Sequence, residues 1–223
     1  MAADLALLDA VERGGEPALR VYRWIPAAIS LGRFQPETDL DLDACSAHGV
    51  EVVRRPTGGK ALLHGGDLTY AVAMPRPAGA AGHVDALYRT LAGGLIAGLM
   101  HLGVEAEIGG DRGAAGPVCF AAAQGADLRI GARKVCGSAQ VQRGIAVLQH
   151  GSILLERLPF DELDLLTHAE PQEMGARERL RARSVTLGEL GAPTDPTVVA
   201  GAIVAGFESA LDVRFDSRVR TDG

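Results

Sequence analysis

Between two stretches that read as strands lies Arg54-Arg55-Pro56-Thr57-Gly58-Gly59-Lys60-Ala61-Leu62-Leu63-His64, which gathers two guanidinium groups, adjacent glycines and an imidazole. Adjacent glycines permit positive φ and carry no Cβ, so backbone N–H groups can approach a ligand carbonyl or phosphate while the arginines supply fixed charge. A hairpin turn with solvated arginines is the plainer alternative. Arg54, Arg55, Lys60, Arg133, Lys134 and Arg143 cluster in the central part of a chain whose net charge is −6. An acidic molecule can thus still offer a positive site to an acidic partner, whereas a general affinity for nucleic acid needs a basic surface overall. The bland alternative is a set of scattered, solvated charges.

The elements that must position these groups follow from periodicity. Leu5, Leu8 and Val11 have helical spacing within residues 3–12, closed by Gly14-Gly15. Residues 20–24 and 28–31 read as strands, 39–48 as a short helix closed by Gly49, and 50–54 as a strand. Residues 61–74 read as a strand pair across a Gly65-Gly66 turn. Leu87, Leu91, Leu95 and Leu99 mark a long helix over 83–102, locally weakened by Gly93-Gly94 and stopped by Gly103. Residues 109–125 read as a mobile loop, and residues 127–130, 134–142 and 145–155 as a three-stranded meander. Helices are expected near 160–166 and 196–211. The expected class is α/β of the α+β type, a mixed, largely antiparallel sheet flanked by helices, with residues 1–223 forming one domain.

Cys45, Cys119 and Cys136 form no CxxC pair and no spaced metal set, and an odd count suits a reducing compartment better than a disulfide framework. No basic leader precedes an apolar core and no run approaches the length of a membrane span, so the expectation is a cytoplasmic protein, a monomer by default.

Four stretches in this order resemble the superfamily of lipoate–protein ligases, octanoyltransferases and biotin ligases over nearly the whole chain. They are Tyr22-Arg23-Trp24 with Ser30-Leu31-Gly32-Arg33-Phe34-Gln35; Val53 to Gly59 leading to Leu63-His64 and Leu68-Thr69-Tyr70; Gly131 to Gln140; and Gln149-His150-Gly151-Ser152-Ile153-Leu154. Val118-Cys119-Phe120, fifteen residues before Lys134, resembles the thiol-dependent octanoyltransferase branch. That resemblance implies transfer of octanoyl from acyl carrier protein to a lysine of a lipoyl domain, commonly the glycine-cleavage H protein, through a thioester. Cys119 would be the nucleophile and Lys134 its partner. Arg55, Thr57, Gly58, Gly59, His64, Gly137, Ser138 and Ala139 would line the substrate site, with no metal or cofactor. An ATP-dependent lipoate ligase is the first rival, in which Lys134 would contact an acyl-adenylate; a noncatalytic acyl-binding protein is the second. Lys60, where the ligases often carry glycine, and the bland Ala121-Ala122-Ala123 depart from the pattern.

The chemistry fits these residue types. A thiolate attacks a carrier thioester well and yields another thioester of similar energy, and a cation beside Cys119 would raise its thiolate fraction. The Lys134 ammonium could also bond the acyl oxygen as charge develops on it. Deprotonating the acceptor lysine costs about 4.6 kcal/mol at pH 7, which desolvation and a second ammonium would reduce; His64 could take that proton or be structural. Burying the octanoyl tail is worth on the order of 5 kcal/mol and calls for a dry tunnel. Cys136, two residues from Lys134 on one strand and so expected on its face about 7 Å away, is a rival nucleophile. Cys45 reads as core filler. Arg33, Arg54, Arg133 and Arg143 are expected to steer acidic carriers.

Overall fold

Antiparallel pairing of long, alternating strands builds the main layer of this computed structural model, which describes residues 1–76, 84–109, 127–167 and 175–216. The six-stranded sheet runs in the order β1 (Ala18–Tyr22), β5 (Asp67–Pro75), β9 (Ala146–Leu154), β8 (Arg133–Arg143), β7 (Leu128–Ile130) and β6 (Glu107–Ile108), with every neighbouring pair antiparallel. A three-stranded sheet sets β2 (Ala28–Leu31) between β3 (Glu51–Arg54), which runs parallel to it, and β4 (Leu62–His64), which runs antiparallel. The mixed, largely antiparallel sheet flanked by helices is the class expected from the pattern.

One expectation fails informatively. Residues 61–74 do form two strands, but β4 and β5 do not pair with each other: Gly65 at φ +132° and Gly66 carry the chain from the small sheet to the large one. A side chain at Gly66 would strike the Glu156 carbonyl oxygen, so the crossing needs glycine there.

Alternation decides what each face of the large sheet meets. Tyr70, Val72, Cys136, Val147 and Ile153 pack against Leu91, Leu95 and Leu99 of α3 (Val84–His101) and Val199, Ile203 and Phe207 of α5 (Pro196–Leu211). The opposite face carries Ala71, Ala73 and Leu148, covered by Leu8 and Val11 of α1 (Ala2–Glu12). The small sheet forms its own core with Leu40, Cys45 of α2 (Leu42–Ala47), Leu165 and Leu180 of α4 (Ala176–Arg183). Cys45 is core filler, as expected. The helix near 160–166 is a single 3₁₀ turn over Glu162–Leu165, and α4 and β6 carry no periodic signal long enough to read. The 109–125 loop expectation falls, apart from Gly109, outside the described residues.

Helix ends follow local chemistry. Asp195 accepts from the N–H groups of Thr197 and Val198 ahead of Pro196, and Asp41 accepts from that of Ala44. Glycines at φ +66° (Gly49) and +76° (Gly103) follow α2 and α3. Gly94 is more than a weak point in α3. A Cβ there would lie 2.5 Å from the Phe207 ring, and one on Gly206 would collide with the backbone of Gly94 and Gly98. Small residues on both helices therefore let α3 and α5 cross closely. Gly206→Ala is expected to lower the unfolding free energy by about 2–3 kcal/mol in urea denaturation; an unchanged midpoint would contradict the close crossing.

Candidate functional site

The arginine-glycine segment is fastened from within. Buried Arg55 donates through Nη1 to the Ser30 carbonyl at 2.7 Å and Ser30 Oγ at 3.1 Å, and through Nη2 to the carbonyls of Gly58 at 3.0 Å and Lys60 at 2.6 Å. Its Nε reaches the Gly58 carbonyl at 3.2 Å. Arg54 similarly donates to the carbonyls of Gly32 at 3.0 Å and Gln35 at 2.6 Å. Both arginines thus hold loop backbone, Arg55 from a buried position and Arg54 from an exposed one, and the carbonyl of Gly59 (φ +95°) lies so close to Gly32 that no side chain fits at Gly32. Arg143, expected to steer a partner, is paired with Asp9 and Glu12 on α1.

Where this loop and β4 face the large sheet, about 420 Å³ of open space is bordered by Ser30, Arg55, Gly58, Gly59 and His64 on one side and Thr69, Gly137, Ala139, His150 and Gly151 on the other. Register explains the second set: Thr69, Ser152 and Gly137 lie in one cross-strand row, and Ala71, His150 and Ala139 in the next, all on one face. Ser138 also borders the space, but its hydroxyl is engaged by Tyr70 Oη at 2.7 Å, which in turn accepts from Gln149 Nε2 at 2.9 Å. Thr57 stands one step behind the wall.

Two buried histidines brace this space. His64 shares hydrogen bonds with Ser30 Oγ at 2.9 Å through Nε2 and with Asp67 Oδ2 at 2.8 Å through Nδ1, and stacks on Trp24 at 4.5 Å. Asp67 also accepts from the Gly65 N–H, Thr69 Oγ1 and Ser152 Oγ. Burial alone would raise its pKa, but neighbouring His64 and these donors outweigh it and hold the carboxyl below its ordinary value. His150 meets Thr57 Oγ1 at 2.7 Å through Nε2 and Asp4 Oδ2 at 3.5 Å through Nδ1, and Asp4 also accepts from Arg20 and Tyr22. Burial pushes the His150 pKa down, which favours the neutral ring.

Lys134 is buried and ion-paired to Asp127 at 2.9 Å. Its orientation comes from a bulge. Arg129 pairs with Lys134 but Leu128 with Cys136, so Val135 is an extra residue and the alternation reverses across it. Lys134 and Cys136 therefore do not share a face, contrary to the simple two-residue count. Cys136 points into the helix-packed core and is fully buried, and burial, with Asp127 nearby, pushes its thiol up to about 12. The Lys134 ammonium lies against Gly137: a Cβ there would sit 2.8 Å from Cε and 2.9 Å from Nζ.

Of the residues singled out in the sequence, Arg55, Gly58, Gly59, His64, Gly137, Ser138 and Ala139 border one space, with Lys134 against its wall. Cys119 lies outside the described residues. Ser30 and His150 stand in two of the stretches that carry the resemblance but were given no site role, and Asp4, Asp67 and Asp127 were not singled out. Asp4 carried a signal, an acid on the same helical face as Leu8 and Val11.

Residues 1–208 match the family model for the lipoyl protein ligase A/B catalytic domain. The chain belongs to this family. The octanoyltransferase LipM of Symbiobacterium thermophilum is 43% identical over 225 residues, covering 95% of this chain and 81% of that relative. Among solved structures, a putative lipoate protein ligase from T. acidophilum with bound lipoic acid is 27% identical with a TM-score of 0.75, covering 98% of this chain and 83% of that one. A lipoate-protein ligase A bound with ATP is 26% identical with a TM-score of 0.76 over the same shares.

A second space, of about 580 Å³, lies elsewhere on this ligase-family fold, bordered by Leu63, Leu154, Phe160, Glu162, Leu180 and Ser184 among others. Glu162 there is buried, and desolvation raises its carboxyl to about 7 despite a hydrogen bond from the Leu63 backbone. The unfolded carboxyl ionises near 4.5, so folding is penalised progressively from that pH up to about 7 and by a constant amount above. Glu162→Gln escapes this penalty. Relative to the parent chain it should gain about 3 kcal/mol in unfolding free energy between pH 4 and pH 8. Parallel urea curves at the two pH values check it, and equal differences would contradict the buried carboxyl.

Proposed function

We propose that the chain is an octanoyltransferase that moves an octanoyl group from acyl carrier protein to a lysine of a lipoyl-domain protein, such as the glycine-cleavage H protein, through a thioester on Cys119. The observation that carries this reading is the Lys134 ammonium, held by buried Asp127 against Gly137 at the wall of the space between the two sheets, in a chain 43% identical to an octanoyltransferase. Residues 1–223 act as one catalytic domain, monomeric and cytoplasmic, with no cofactor.

In the first half-reaction the Cys119 thiolate attacks the carrier thioester, and the carrier's thiolate leaves. The octanoyl tail lies between the Gly58-Gly59 loop and the Gly137–Ala139 strand, where missing or small side chains leave clearance. In the second, the neutral acceptor amine bonds to the carbonyl carbon of the Cys119 thioester, the carbon–sulfur bond breaks, and the departing Cys119 sulfur takes the proton the amine loses. Lys134 favours the neutral amine by charge repulsion, while its N–H groups stabilise charge developing on the acyl oxygen. Asp127 is the counter-ion that keeps a buried ammonium in place; without one, a buried charge costs several kcal/mol. Nucleotide belongs to the ligase alternative, which pyrophosphate release on adding ATP and octanoate would reveal.

Two measurements check the reading. Intact mass spectrometry after mixing with octanoyl-acyl carrier protein should show one stable octanoyl adduct on the parent chain and on Cys136→Ala, and no stable adduct on Cys119→Ala. An adduct that survives Cys119→Ala but disappears in Cys136→Ala would overturn the assignment. Gly137→Ala collides only with the flexible end of Lys134. By displacing the ammonium it should lower the transfer rate about a hundredfold, and by disturbing the buried pair with Asp127 it should lower the melting temperature as well.

A further inference from the structure

The same cavity wall holds a second set of groups that cysteine-based transfer does not use. Ser30 and His64 both border the space, and Asp67 lies behind His64. A carboxylate only accepts, so the 2.8 Å contact to Asp67 assigns the proton of His64 to Nδ1 and leaves Nε2 to accept from the Ser30 hydroxyl at 2.9 Å. Arg55 Nη1 donates to the same Ser30 oxygen at 3.1 Å, placing a fixed positive charge where an alkoxide would form. Trp24, stacked on the ring, and the further donors to Asp67 from Gly65, Thr69 and Ser152 hold the order hydroxyl, imidazole, carboxylate rigid. The Thr57–His150–Asp4 chain is looser, at 3.5 Å between ring and carboxylate, and Thr57 does not border the space.

We propose that Ser30 is a second acyl-accepting nucleophile and that Ser30, His64 and Asp67 give this chain a serine-dependent thioesterase activity toward medium-chain acyl thioesters. The proposal rests on the reading of the space as an acyl site and goes beyond transfer through Cys119. Ser30 Oγ bonds to the thioester carbonyl carbon as its proton passes to His64 Nε2. The carbon–sulfur bond breaks, and the leaving thiolate takes that proton. Water, activated by the same imidazole, then attacks the Ser30 ester, releasing the free carboxylic acid and restoring the hydroxyl. No redox partner is needed.

The test uses the full chain carrying Cys119→Ala. Octyl fluorophosphonate should label the peptide containing Ser30, and octanoyl-coenzyme A should be hydrolysed to octanoic acid. Ser30→Ala should abolish the label and lower hydrolysis about a thousandfold or to the background rate. His64→Gln, which keeps a hydrogen-bonding side chain but takes up no proton, should slow labelling comparably. Trp24 is the one tryptophan of the chain and stacks on His64, so its fluorescence reports occupancy independently. A fluorescence change with octanoic acid but no Ser30 label overturns the triad and leaves the acyl site standing. Neither signal overturns both readings, and a label on any other residue overturns the triad.

Discussion

A buried ammonium needs a counter-ion, and the Asp127–Lys134 pair, with both side chains nearly sealed from water, is the constraint around which this site is organised. Meeting it requires Asp127, just ahead of β7, to lie beside Lys134 of β8. It also requires the bulge at Val135 to aim the lysine away from the helix core, and a glycine at 137 to leave the ammonium room. Each of these backbone features costs something in a strand, since bulges interrupt the ladder and glycine packs nothing. Their coincidence at one spot is what a charge held in a dry wall demands.

The arginines that dominate the sequence work differently from what their charge suggests. Arg55 spends its donors on the carbonyls of Ser30, Gly58 and Lys60, and Arg54 on those of Gly32 and Gln35. A glycine-rich loop has little intrinsic order, because glycine loses more backbone freedom on folding than any other residue. Two guanidinium groups, each with several donors in a rigid plane, offset that loss by bonding to backbone carbonyls of the loop and of the strand beside it. The positive charge remains, but its first task is to fix the loop that borders the cavity.

The fold was legible where periodicity is long: α1, α3, α5 and the β7–β9 meander stand close to where their patterns place them. Pairing was not, because Gly65-Gly66 signals a turn whether the chain folds back on the same sheet or passes to another. The residues around the cavity were legible mainly through the arginine-glycine and lysine stretches. Asp4 and Asp127 were not, since an acid's burial depends on which partners the tertiary structure brings, Arg20, Tyr22 and His150 for one and Lys134 for the other. The count of two residues from Lys134 to Cys136 misled because a bulge reverses alternation without leaving a mark in composition.

The passage of the chain from β4 to β5 through two glycines leaves the cavity bordered by two sheets that share no ladder hydrogen bonds with each other. Its width is therefore set by the side chains that line the seam from either sheet, such as Leu62 and Thr69, and not by a strand spacing fixed at about 4.8 Å. Tail-length preference in such a vessel becomes a matter of trimming or enlarging the lining, with neither ladder having to yield.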